Sequence, residues 1–198
     1  MKLFKISQLK QLLSNTLSLF LRKSAITTST LSTISFQENN ERLEASIERI
    51  VDGDTLKVKL KHCDKSVTLR LLLIDTPELL KFGAQQYSLD ALNFTKEVLK
   101  VGDSVYIEYD GEDKTDKYNR HLCYLWFYSQ EDNTWKMFNE KIVEKGLARV
   151  GYIYSQKRYL DALYIAQDKA KTEKINIWSI DGYVTNSGFN AKAYNNSR

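Results

Sequence analysis

Proline is nearly absent from this chain, with one residue in 198, and glycine is sparse at eight. Such scarcity excludes collagen-like and low-complexity architectures. The two cysteines, Cys63 and Cys123, stand far apart with no CxxC or Cys/His cluster, so they do not make a zinc site. A chain of this length with 42% hydrophobic residues has core enough to stand without staples, and both cysteines read as free structural thiols. Long apolar runs are missing too: none reaches the roughly 18 residues that a spanning helix needs. Acidic residues are missing from positions 1–37, which hold Lys2, Lys5, Lys10, Arg22 and Lys23. Taking those five from the 29 basic residues leaves 24 against 25 acidic ones, so the formal charge of +4 belongs to the leader. A polyanion bound by the remaining chain must therefore meet a local cationic patch or a bound metal.

The leader is rich in Ser and Thr and carries Ile6, Leu9, Leu12, Leu13, Leu17, Phe20 and Leu21 at the spacing of an amphipathic helix. Three readings stand: a secretory signal with LLSNTLSLFL as its apolar region, an organellar transit peptide, or a membrane-surface helix. Asn15 inside the apolar region, Arg22 and Lys23 directly after it, and the lack of a small-x-small cleavage site count against a clean signal peptide. The chain divides into a targeting or tethering segment (1–37), a polar linker (38–44), a folded domain (45–181) and a C-terminal tail (182–198).

From Ala45 the pattern has period two. SIERIV reads as a strand, Asp52-Gly53 as a turn, and TLKVKL as a half-buried strand with Leu56, Val58 and Leu60 alternating against Lys57 and Lys59. After the polar KHCDK, SVTLRLLLI sets Val67, Leu69, Leu71 and Leu73 on one face and Thr68, Arg70 and Leu72 on the other. At its end Thr76, Pro77 and Glu78 fit an N-cap, first helical position and first turn. The spacing predicts a helix over 84–100 with Tyr87, Leu89, Leu92, Phe94, Val98 and Leu99 as its buried stripe. VGDSVYIEYD reads as a loop and a fourth strand, and HLCYLWFY as a fifth. FNEKIVEKGLARV is helical at Phe138, Ile142 and Val143, with Gly146 as C-cap. RYLDALYIAQDKAKTEK forms a longer helix with Leu160, Leu163, Tyr164, Ala166 and Ala170 on its apolar side. Trp126 and Trp178 read as core aromatics. This order suits a small closed antiparallel β-barrel with helices, an α+β chain of oligonucleotide-binding (OB-fold) type.

Five segments, VDGDTLKV, RLLLIDTPE, DKYNR, GLARVGYIY and KINIWS, occur in this order between Ala45 and Asp181. Singly each is ordinary: Asp54 fits a turn, Arg70 a solvated strand position, Glu78 a first helical turn. Together they resemble the staphylococcal (thermonuclease) nuclease family. The resemblance implies a five-stranded OB-fold barrel with three α-helices, and a calcium-dependent phosphodiesterase that cleaves DNA and RNA to leave 3′-phosphate ends. By motif it implies Asp54, Asp75 and the Thr76 carbonyl as Ca2+ ligands, and Arg70, Glu78 and Arg120 as the catalytic trio. Lys117, Tyr118, Tyr152 and Tyr154 match positions contacting the nucleotide. Asn119 stands where the family usually has glycine, and asparagine tolerates the left-handed backbone. The connection LLKFGAQQY after Glu78 is shorter than the lysine-rich loop of the best-known members, which bears on substrate grip more than on chemistry.

These residue types suit phosphodiester hydrolysis. In-line attack adds negative charge to the equatorial oxygens, which pre-placed positive groups must meet. Calcium takes hard oxygen ligands, and two converging carboxylates without a cation would repel each other. Arginine grips phosphate oxygens bidentately, as lysine cannot. Glu78 is the candidate to orient or deprotonate the attacking water, and the tyrosines suit stacking on single-stranded substrate. The alternative is a non-catalytic nucleic-acid or protein binding module on the same barrel. The family's habit points to export of a monomer, secreted or held at a membrane surface through residues 1–37. Import into an organelle is the other reading of the leader.

Overall fold

The structure is a computed structural model that describes residues 42–79 and 83–196. Strands β1 (Arg42–Ile50), β2 (Thr55–Leu60) and β3 (Lys65–Leu71) form the expected antiparallel meander, with Thr55 opposite Arg70. Strand β1 also pairs with β5 (Ser104–Glu108), and β5 with β6 (His121–Ser129). Strand β6 then meets β3 in parallel register, with Arg70 opposite Leu122, and closes a five-stranded barrel. The barrel is thus mixed rather than wholly antiparallel. Closure pairs every barrel strand on both edges, leaving no open edge among the five. Strand β7 (Thr134–Met137) extends β6 as a hairpin, and two short strands, β4 (Ile74–Asp75) and β8 (Arg149–Val150), pair outside the barrel.

The interior is filled as the period-two pattern predicts. Leu56, Val58, Leu69, Leu71, Ile107 and Leu125 are fully buried, and each such side chain stabilises by about 1.5–3 kcal/mol relative to exposure. Trp126 is buried as expected, whereas Trp178 is only half-buried. Cys123 is buried in β6, Cys63 is exposed in the β2–β3 turn, and both are free.

Helices α1 (Ser88–Val98), α2 (Phe138–Glu144) and α3 (Leu160–Thr172) cover the barrel, followed by a 3-10 turn (Asn176–Trp178). A fourth helix, α4 (Ala191–Asn196), goes beyond the three implied by resemblance. It follows a short hairpin of β9 (Val184–Thr185) and β10 (Gly188–Phe189). The stretch 182–198 is therefore folded over its described part rather than a plain tail, and Tyr183 is buried within it. The linker reading of 38–44 also changes, since Arg42, Leu43 and Glu44 pair with β5 as the start of β1. The leader, 1–37, lies outside the described residues.

Two local expectations are corrected. Residues 76–79 are not helical, and α1 starts only at Ser88. The Thr76 amide donates to Asp54 Oδ2 at 3.3 Å. The Glu78 amide donates to Gln85 Oε1 at 2.7 Å, and the Gln85 amide to the Glu78 carbonyl at 3.0 Å. Donors and acceptors that a helix would use thus close a loop instead. The buried face of α1 is Ser88, Ala91 and Thr95, with Leu89 exposed. Small residues are needed because the helix lies on backbone: Thr95 Oγ1 donates to the Gly53 carbonyl at 3.2 Å, and a Cβ at Gly53 would stand 3.0 Å from the Ala91 Cβ.

Candidate active site

The β1–β2 turn, the end of β3, β4 and its following loop, the loop before β6 and the segment after β8 supply the site. Asp54 sits in the turn because Gly53 permits it: a Cβ there would lie 2.8 Å from Thr76 Cγ2. The buried Asp54 carboxylate accepts from the Thr55 hydroxyl at 3.0 Å and pairs with Arg70 Nη2 at 3.1 Å. Arg70 is itself buried. Its Nη1 donates to the carbonyls of Leu71 (2.8 Å) and Ile74 (3.0 Å), which fixes the plane of the guanidinium. Its carbon lies 5.0 Å from the ring centre of Tyr152, a cation–π arrangement. Tyr152 holds a left-handed backbone (φ 53°), a strained conformation for a bulky residue of the sort that clusters at functional sites.

Asp75, also buried, accepts from Arg149 Nε at 2.8 Å. Burial nevertheless keeps its carboxyl above the ordinary range, because Arg149 offsets only part of the desolvation and Asp54 opposes it. Glu78 is exposed at the rim, yet its carboxyl is raised in the same direction, first by partial desolvation and then by Asp54 and Asp75, against the opposing pull of Arg70 and Arg120. Glu78 thus feels both aspartates and both arginines, and the five residues named by motif share one electrostatic neighbourhood. Thr76 is buried beside Asp54.

Arg120 is presented by an Asp116-anchored turn. Asp116 Oδ1 accepts from the amides of Tyr118 and Arg120, and its Oδ2 accepts from Arg120 Nε at 2.7 Å. Asn119 takes the left-handed backbone expected of it, with φ 59°. Lys117 is exposed. Tyr118 is 68% exposed, with Lys117 and Arg120 over its ring at 5.1 and 5.5 Å. Tyr152 and Tyr154 are 51% and 63% exposed. Of the three tyrosines it is Tyr152 that packs over Arg70, and Tyr154 is more exposed on the same segment.

Three participants escape the motif reading. Asp52 accepts the Asp54 amide at 3.1 Å, and its carboxyl is pushed up to about 6 by burial and by Asp54. Asp116 and Arg149 complete the set. The signal for Asp52 is the D-G-D spacing, which a turn explains equally well.

The donor set fits a hard cation. Asp54, Asp75 and the Thr76 carbonyl offer oxygen alone, and the charge of Asp54 raises the carboxyls of Asp52, Asp75 and Glu78, a crowding of negative charge that a dication would relieve. Among the described residues no three His, Cys, Asp or Glu side chains converge tightly enough to hold an ion by themselves.

Residues 68–180 match the family model described as staphylococcal nuclease homologue, a range that includes every motif-named residue except Asp54. The chain is 38% identical over 157 residues to Endonuclease YncB of Bacillus subtilis (strain 168), covering 77% of this chain and 70% of that protein. It is 39% identical over 153 residues to the SPbeta prophage-derived endonuclease YokF of the same organism, 76% of this chain but only about half (49%) of that relative. With the Thermonuclease of Staphylococcus hyicus the identity is 38% over 133 residues, covering 66% of this chain and 73% of the relative. With the barrel and the grouped acidic and arginine side chains, these matches show that the chain belongs to the staphylococcal nuclease homologue family.

Proposed function

We propose that this protein is a calcium-dependent endonuclease that hydrolyses phosphodiester bonds of DNA and RNA and leaves 3′-phosphate ends. The observation that carries the reading is the buried pairing of Arg70 with Asp54 beside Thr76, with Asp75, Arg120 and Glu78 in the same electrostatic neighbourhood. Arg70 enters the reaction with its guanidinium already oriented by two carbonyls, so binding an anion costs little reorganisation. Arg120, held by Asp116, supplies a second fork, and together they stabilise the charge that develops on the equatorial oxygens. Glu78, exposed and with its affinity for protons raised, is suited to take or hold a proton of the attacking water. Calcium, when bound by Asp54, Asp75 and the Thr76 carbonyl, supplies positive charge to the phosphate and a seat for water. Scission leaving the phosphate on the 3′ oxygen follows from the family resemblance.

The exposed rings of Tyr118, Tyr152 and Tyr154 favour single-stranded or breathing substrate, whose bases are free to stack. The protein is read as a monomer that acts outside the cell, secreted or tethered by residues 1–37, with organelle import as the alternative route. Purified protein is expected to degrade single-stranded DNA with calcium and to stop when a chelator is added. Full activity in excess chelator sinks the metal assignment, undiminished turnover in Glu78→Gln sinks the role of that residue, and binding without cleavage leaves the binding module.

A further inference from the structure

The ion pair between Asp75 and Arg149 is built from three sides. Pairing of β4 with β8 sets the two residues opposite each other. Arg149 Nε donates to Asp75 Oδ2 at 2.8 Å, and Nη2 lies 2.8 Å from the same oxygen. Gly151 closes the second side, since a Cβ there would lie 3.2 Å from both the Arg149 Cζ and the Asp75 Cβ. The third side is the C-terminal hairpin: Arg149 Nη1 donates to the Asn186 carbonyl at 3.3 Å, and the Phe189 ring lies 6.0 Å from the guanidinium carbon. Tyr183 anchors that hairpin. Its hydroxyl donates to the Gln86 carbonyl at 2.6 Å, its ring meets Tyr87 edge-on and Phe189 at a tilt, and its carbonyl accepts the Asn190 amide at 2.7 Å. The family-model match covers residues 68–180, and the hairpin follows it in the chain.

We infer that the C-terminal hairpin is a strap that positions Asp75 through Arg149, making Arg149 a positioning residue of the site. Both Arg149 contacts fall on Oδ2, which restrains the carboxylate and leaves Oδ1 for a cation or its waters. The strap is a statement about geometry. Its consequence for cleavage rests on the nuclease reading. Partners that orient a ligating group in this way are typically worth about 10–100-fold in metal affinity or activity.

The test uses the full chain and the variants Arg149→Met, Arg149→Lys and Phe189→Ala, none of which replaces Asp75. Without metal or substrate, hydrogen exchange of the Arg149 Nε–H is followed by NMR, and Phe189→Ala is expected to speed it about tenfold while circular dichroism shows an intact fold. In a second arm, calcium binding is measured by calorimetry and single-stranded DNA cleavage is titrated with calcium. Arg149→Met is expected to lose about 10–100-fold in calcium affinity or turnover. Phe189→Ala should lose several-fold in the same direction, and Arg149→Lys should recover part of the loss. Unchanged Nε–H exchange in Phe189→Ala overturns the strap. Faster exchange with wild-type calcium affinity and turnover in that variant overturns its functional part. Should Arg149→Met fail to fold, Phe189→Ala decides both arms. A wild-type protein that neither binds calcium nor cleaves refutes the nuclease reading, and the exchange arm still decides the strap.

Discussion

Two carboxylate systems among the described residues are built on opposite plans. At Glu108 one carboxylate receives Arg42 Nε at 2.7 Å, Trp126 Nε1 at 2.8 Å, Arg158 Nη1 at 2.6 Å and the Tyr159 hydroxyl at 3.0 Å. Burial alone would raise its pKa, but the bonds from Arg42 and Arg158 bring it below the ordinary value. At the candidate site Asp52, Asp75 and Glu78 are all raised, because burial and neighbouring acids outweigh the arginines. One system is saturated with donors and ties β1, β5 and β6 to the start of α3. The other is left short of positive charge, an arrangement that costs stability and marks sites of binding or chemistry.

The contrast can be broken most forcefully at Glu108. Glu108→Gln removes the negative charge that Arg42 and Arg158 both meet in the interior and is expected to cost about 3–5 kcal/mol in urea unfolding. Turnover well below the unfolding transition should be unaltered, because none of the site residues touches Glu108. Arg70→Ala acts on the other system: turnover on single-stranded DNA is expected to fall a hundred- to thousand-fold, about 3–4 kcal/mol in barrier. Asp52→Asn gives a smaller change of opposite sign. At pH 7 without metal it removes a charge that folding disfavours, and, discounted for partial exposure, should stabilise by about 1 kcal/mol.

Stability measured against pH sharpens the same comparison. Glu108, with its folded pKa lowered, contributes stability that is present above its ordinary value of 4.5 and is lost as pH falls through the folded value. Asp52, with a folded pKa of about 6 against 3.8, does the reverse. The folded state takes up its proton first, so the penalty present above pH 6 is relieved as pH drops toward 4. The advantage of Asp52→Asn should therefore vanish over that window, as read by denaturation midpoints of both proteins in metal-free buffer. An advantage that persists to pH 4 removes Asp52 from the cluster.

Much of this was legible in the sequence where one residue type has one use. The alternation of Leu56, Val58 and Leu60 reads directly as a barrel strand, whereas Arg70 alone fits a solvated strand position and gains its role only from the five segments taken together. Legibility failed where one pattern serves two ends. Thr76-Pro77-Glu78 opens helices, yet here the Thr76 amide is spent on Asp54. The leucines of 84–100 suggest a broad apolar stripe, but contact with the Gly53 backbone selects the small Ala91 and Thr95 for the buried face. Arg149 and the Asn186 carbonyl are brought together by tertiary structure, which no local motif records.

Closure of the barrel carries a consequence for the order of events in folding. Arg70 lies in β3, and Arg120 directly precedes β6, yet these strands meet through a contact spanning roughly 50 residues, the kind whose loop-closure entropy delays its formation. The meander β1–β3 can form from near neighbours while its arginine still has no companion. The two guanidinium groups are brought into register only when the last seam zips. A half-folded chain therefore holds most of its strands and none of the paired anion grip, so assembly of the site reports that the barrel is complete.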